Sequence, residues 1–142
     1  MFYVEPFSTK DIDAFVLVPK DRFVIELPGW AYLKKRGYTE IRNDRIVVEG
    51  WPVQFLPVAN DLEREAYLNA QTLEFDGVSV RVVLAEHLVA IMLEVGRTRD
   101  LARIEMFLEQ EAVDITALEE IVQRHGLFDK WRQFKNSYDQ QE

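Results

Sequence analysis

The hydrophobic period of this chain changes at Leu84, and that change constrains the fold more than any other sequence feature. Before it, short runs of β-forming residues alternate with glycines, prolines and one Asp-Gly pair. After it, apolar residues recur every three or four positions as far as residue 134, which is typical of amphipathic helices. Strands followed by helices predict an α+β fold.

The spacing also predicts the individual elements. We expect one domain over residues 1–142, with residues 1–83 forming mainly strands and short helices and residues 84–134 helical. The strands should form a mixed, mostly antiparallel sheet, and the polar residues 135–142 should fray. The expected strands are 9–18, 45–49, 51–57, 72–75 and 78–83, and the expected helices are 28–36, 61–71, 84–95, 99–111, 114–124 and 127–134.

Charge and composition exclude several functional classes. The 142 residues include 17 basic and 25 acidic side chains, and a net charge of −8 argues against a broad nucleic-acid or anionic-membrane surface. The absence of cysteine excludes disulfides, thiolate catalysis and cysteine-bound zinc. No apolar run approaches the roughly 20 residues that span a bilayer, so we expect a cytoplasmic protein without a membrane partner.

Two acids stand at the start of the first expected strand. Asp11 and Asp13 are two residues apart, so their side chains share a face of a strand. Two ionised carboxylates this close repel each other unless a cation neutralises them, which favours Mg²⁺ or Mn²⁺ ions of the kind used in phosphoryl transfer. The alternative is an exposed strand start, with one acid capping a turn and the other solvated.

Several segments in order resemble the nucleotidyltransferase-fold proteins of the minimal and abortive-infection toxin type. The likeness extends from residue 8 to residue 134. It rests on STKDIDAFVLV at 8–18, GWPVQFL at 50–56, LAEHL at 84–88 and GRTRDLARI at 96–104. The resemblance implies a sheet of the nucleotidyltransferase type, with Asp11 and Asp13 as catalytic and metal-binding residues.

The implied activity is nucleotide transfer. Enzymes of this type, including toxins of toxin–antitoxin systems, move a nucleotide from a nucleoside triphosphate to a hydroxyl of RNA, protein or a small molecule. The acceptor is left open. Arg97 and Arg99 are the candidate phosphate-binding residues, because guanidinium groups match phosphate oxygens and lie here near an expected helix start. The alternative is that they pair with neighbouring acids on a solvated helix.

The chain departs from the family pattern at three places. The usual Gly-Ser phosphate loop lies upstream of the aspartate strand, whereas Asp11 follows Met1 by only ten positions; we expect either a longer natural protein or a reduced member. Gln54 stands at the possible third-ligand position, where a carboxylate is usual, and Glu49 would replace it only if the strands bend suitably. Met92 replaces a lysine.

These departures favour a rival prediction, a catalytically inactive module of the same fold or an obligate subunit of a complex. A homo-oligomer or a protein partner would then cover an exposed apolar stretch, for which Phe2, Tyr3, Val4 and Phe7 are candidates. We expect His87 and His125 to be structural, because each lies at a helix end and their spacing does not suit zinc.

Overall fold

The computed structural model describes residues 12–17 and 28–141. Within these ranges the chain is α+β, as predicted, with six strands and six helices. It divides into two compact units, an N-terminal unit within residues 12–59 and a C-terminal unit of residues 60–141. That the two units form one domain stays a prediction. The apolar stretch proposed to meet a partner, from Phe2 to Phe7, lies outside the described residues.

The N-terminal unit contains a four-stranded sheet and one helix. Its elements are β1 (Ile12–Val16), α1 (Pro28–Lys35), β2 (Ile41–Arg42), β3 (Arg45–Val48) and β4 (Trp51–Pro57). The strand order is β1-β4-β3-β2, with β1 parallel to β4 and the other pairs antiparallel. The predicted mixed, mostly antiparallel sheet is therefore confirmed for the described strands.

A two-residue turn sets the register of β3 and β4. Glu49 and Gly50 both have positive φ, 49° and 84°, as a type I′ turn requires. Pairing of Val48 with Trp51 then places side chains alternately on the two faces. One lateral row is entirely apolar and consists of Ile12, Val53, Ile46 and Ile41.

Helix α1 approaches the sheet closely at a glycine. A Cβ atom on Gly29 would lie 2.5 Å from the Cε1 atom of Phe55 on β4. Only glycine therefore permits this separation of helix and strand without movement of the ring. The helix ends before Gly37, whose φ is 93°.

The C-terminal unit consists of five helices and a hairpin. Its elements are α2 (Asp61–Leu68), β5 (Gln71–Phe75), β6 (Val78–Val82), α3 (Ala85–Val95), α4 (Thr98–Glu109), α5 (Ile115–Arg124) and α6 (Phe128–Asp139). Asp76 and Gly77 form the expected hairpin turn, with φ of 50° and 76°. No helix in the described ranges is both long and apolar enough to cross a membrane.

Helix α3 lies at the centre of this unit. It contacts α2, α4, α5 and α6, so it is buried on more sides than its single predicted stripe implied. The apolar spacing of residues 84–95 predicts one buried stripe that includes Val95, but Val95 is 52% exposed, whereas Val89 and Ala90, outside that stripe, are fully buried. The core consists of Leu62, Ala85, Val89, Ala90, Met92, Leu93, Ile104, Phe107, Leu118, Ile121, Val122, Leu127, Trp131 and Phe134.

The last helix is longer than the sequence suggested. The prediction that residues 135–142 fray is wrong as far as Asp139, where α6 ends. The ring of Tyr138 stacks on that of Phe134 at 6.0 Å, and Phe134 in turn stacks on Trp131 at 5.7 Å. These aromatic contacts offset the cost of ordering a polar helix end.

Candidate functional site

A row of polar side chains crosses the sheet of the N-terminal unit. Asp13 on β1 pairs in register with Gln54 on β4. Arg45 on β3 donates from Nη2 to Oε1 of Gln54 at 3.1 Å, and Arg42 on β2 pairs in register with Arg45. Laterally paired residues share a face of a sheet. We call Asp13, Gln54, Arg45 and Arg42 the polar row.

The polar row is acidic at one end and basic at the other. Asp13 is exposed, whereas Arg45 is half-buried and also donates from Nη1 to the Asn43 carbonyl oxygen at 3.4 Å. Arg42 is exposed and forms an ion pair with Glu40 at 2.7 Å. Two strand spacings separate Asp13 from Arg45, about 10 Å between backbones. A ligand across the row would therefore meet an acid and a guanidinium group.

The structure brings together two of the residues singled out in the sequence. Asp13 and Gln54, the expected metal ligand and the possible third-ligand position, are direct neighbours. Asp11 lies outside the described residues. Glu49, the suggested substitute, occupies the turn after β3 and accepts a hydrogen bond from the Tyr38 hydroxyl at 2.7 Å. That hydrogen bond and the charge of Glu49 raise the pKa of Tyr38.

The polar row offers a suitable oxygen ligand for a divalent cation only at its acidic end. Mg²⁺ and Mn²⁺ prefer carboxylate and other oxygen ligands, and the exposed carboxylate of Asp13 meets that requirement. The amide oxygen of Gln54 already accepts from a guanidinium, whose positive charge opposes a cation there. Residues 12–17 and 28–141 contain no group of three acidic or histidine side chains arranged to hold a metal ion.

Arg97 lies at the start of α4 and contacts a buried carboxylate. Its Nε and Nη2 atoms donate to the two oxygens of Asp100 at 2.6 and 3.2 Å, and its backbone N–H donates to the same side chain at 3.2 Å. Asp100 is 2% exposed. Burial alone would raise the pKa of Asp100, but the hydrogen bonds and charge of Arg97 outweigh burial and lower it.

The two arginines assigned to phosphate therefore have different surroundings. Arg97 forms the ion pair that the sequence offered as an alternative, with Asp100 as its partner. The side chain of Arg99 is exposed and makes no hydrogen bond or ion pair within the described part of the chain. Met92, at the position of the family's lysine, is a core residue. Phosphate binding by either arginine stays a prediction.

A second polar cluster joins three helices of the C-terminal unit. Glu65 of α2 accepts at Oε2 from Nε2 of His87 at 3.1 Å and from Nε2 of His125 at 2.9 Å. Its Oε1 accepts from Nε of Arg124 at 2.8 Å. His87 is on α3, and Arg124 and His125 lie at the end of α5. We call these four residues the Glu65 cluster.

The electrostatics of the Glu65 cluster favour the ionised carboxylate. Burial alone would raise the pKa of Glu65, but hydrogen bonds from Arg124, His125 and His87 lower it to about 2. Contact with a carboxylate assigns the proton of His87 to Nε2, and its buried Nδ1 has no hydrogen-bond partner among the residues that the structure describes. The cluster thus connects α2, α3 and α5 through one charged group.

The sequence could have revealed Arg45 but not the Glu65 cluster. The Glu49-Gly50 turn implies that Val48 pairs with Trp51, and counting outward from that pair places Arg45 opposite Gln54. By contrast, the members of the Glu65 cluster are up to 60 positions apart in the chain. Only the packing of three helices brings them together.

Comparison of the sequence with models of known protein families and with curated protein sequences gave no match.

Proposed function

We propose that this chain is a nucleotidyltransferase-type protein that binds a nucleoside triphosphate along the polar row and transfers its nucleotide to a hydroxyl group. The observation that carries the proposal is the register that sets Asp13 beside Gln54. These are the positions that the sequence resemblance pairs as metal ligand and third-ligand position. The proposed compartment is the cytoplasm, where nucleoside triphosphates are abundant.

The reaction would be an in-line displacement at the α-phosphorus. The acceptor oxygen forms a bond to phosphorus while the bond to the β-bridging oxygen breaks, and pyrophosphate leaves with that electron pair. The acceptor's proton passes to water. Asp11 and Asp13 would hold Mg²⁺ or Mn²⁺, which when bound neutralises phosphate charge. The chain's own contribution is to position the reactants in a fixed electrostatic environment.

A labelling experiment tests transfer directly. The purified chain is incubated with nucleoside triphosphates labelled at the α-phosphate, in Mg²⁺ or Mn²⁺, with total RNA, with protein extract or with small hydroxyl compounds. We expect label on one acceptor class and its loss in Asp13→Asn. Asp44→Asn, the same change at an exposed turn of the same unit, should keep the activity. Equal labelling by both variants would contradict the proposal.

A specific contact favours a second candidate function. Because Gln54 accepts from Arg45, the position of the family's third carboxylate is engaged with a cation instead. A non-catalytic module of the same fold, acting through a protein partner or as a subunit of a complex, would tolerate that change. It predicts no label transfer with any acceptor, together with a stable complex when the chain is co-purified at native levels.

A further inference from the structure

We infer that Arg45, oriented by Gln54, is an anion-binding residue that contacts the phosphate chain of a nucleotide at the basic end of the polar row. The inference deepens the proposed function and rests on it for the identity of the ligand. Under this inference, a positively charged side chain of the protein contacts phosphate at a position where the family pattern would use a carboxylate and a metal ion.

The geometry of Arg45 supports this role. Its side chain is half-buried, and its guanidinium donates to Oε1 of Gln54 at 3.1 Å and to the Asn43 carbonyl oxygen at 3.4 Å. Contacts on two sides limit the rotamers of a long side chain, so less entropy is lost when an anion binds. A guanidinium fork also matches phosphate oxygens bidentately.

The order of charges along the polar row identifies the class of ligand. A cation at the exposed carboxylate of Asp13 and a guanidinium two strands away would both attract the same anion. An extended polyphosphate can contact both ends, whereas a single carboxylate ligand cannot span about two strand spacings. The polyphosphate of a nucleoside triphosphate is therefore the ligand that fits.

Replacing Gln54 by glutamate distinguishes anion binding by Arg45 from metal binding by Gln54, because the two roles predict opposite changes in the affinity for Mg-ATP. Gln54→Glu would place a carboxylate against Arg45, form an ion pair and neutralise the guanidinium. Anion binding by Arg45 then predicts weaker binding of Mg-ATP. If Gln54 is instead an imperfect metal ligand, the new carboxylate would strengthen metal-dependent binding.

The test is calorimetric titration with inorganic tripolyphosphate in EDTA, followed by titration with Mg-ATP. We expect wild-type chain to bind tripolyphosphate without metal and Arg45→Gln to lose about tenfold or more in affinity. The matched control is Arg36→Gln, which removes the same charge at an exposed position of the same unit outside the polar row and should change affinity less than about threefold. Arg45→Lys, which keeps the charge without the fork, should be intermediate.

Three results would overturn the inference: no binding of tripolyphosphate by the wild-type chain, equal losses in Arg45→Gln and Arg36→Gln, or tighter Mg-ATP binding by Gln54→Glu. Thermal unfolding of each variant establishes that it is folded. Failure of the proposed function is distinguishable from failure of this inference: label transfer would be absent, while tripolyphosphate binding would still depend on Arg45.

Discussion

Replacing Glu65 by glutamine should destabilise the C-terminal unit, because this one carboxylate on α2 accepts hydrogen bonds from donors on α3 and at the end of α5. The carboxylate accepts from His87, Arg124 and His125 at 2.8 to 3.1 Å and is 23% exposed. Glutamine has almost the same shape but offers one acceptor oxygen and turns an NH₂ group toward N–H donors. Part of the hydrogen bonding must therefore be lost.

The magnitude follows from the pKa of Glu65. The folded chain lowers it from 4.5 to about 2, and one pH unit corresponds to about 1.4 kcal/mol. The ionised carboxylate therefore contributes about 3 kcal/mol to the free energy of unfolding. Because the folded pKa lies below the unfolded one, this contribution is complete above pH 4.5 and is lost as the pH falls from 4.5 toward 2.

The assay is denaturant unfolding of wild type, Glu65→Gln and Glu120→Gln between pH 7 and pH 3. Glu120 is exposed on α5, so its substitution is a control for the loss of one negative charge. We expect Glu65→Gln to lower the free energy of unfolding by about 3 kcal/mol at pH 7, and Glu120→Gln by less than about 0.5 kcal/mol. The difference between wild type and Glu65→Gln should shrink as the pH falls toward 3.

Two results would refute this reasoning. A Glu65→Gln variant as stable as Glu120→Gln at pH 7 would mean that the carboxylate contributes nothing. A large difference that is the same at pH 7 and pH 3 would mean that the loss arises from packing and not from the charge of Glu65.

Three further substitutions test other contacts by thermal and chemical unfolding. Arg97→Ala leaves the buried Asp100 carboxylate without its guanidinium partner and should lower the free energy of unfolding by about 3 kcal/mol. An unchanged free energy of unfolding would mean that the ion pair does not stabilise the fold. Gly29→Ala places a Cβ atom against the ring of Phe55 and should lower the free energy of unfolding by about 1 to 3 kcal/mol. No change would mean that α1 moves to accommodate the methyl group. Asp114→Ala removes the acceptor at the start of α5 and should cost about 1 kcal/mol, whereas Asp114→Asn should cost less.

Local sequence signals predicted the elements well where turn chemistry fixes the backbone. The Asp76-Gly77 turn and the helix end at Gly96 both lie where expected. Asp114, the first residue of the expected helix 114–124, is the N-cap of α5. The extent of α6 and the burial around α3 were missed, because both depend on contacts between helices that a periodic pattern does not encode.

The candidate site was predictable only in part. Asp13 was identified from its position at the start of a strand and Gln54 from the family resemblance, and the two residues pair in register. Arg45 was missed because the sequence was interpreted one strand at a time, without counting pairs across the Glu49-Gly50 turn. Asp11 lies outside the described residues, so its proximity to Asp13 on one strand face stays a prediction.

The most direct test of the central claim is calorimetric titration of the chain with ATP, GTP, CTP and UTP in Mg²⁺ or Mn²⁺. The Asp11→Asn/Asp13→Asn double variant and the Asp44→Asn control are titrated alongside. We expect metal-dependent binding of at least one triphosphate, lost in the double variant and kept in the control. Binding that is equally strong in the double variant, or no binding by the wild-type chain, would contradict it.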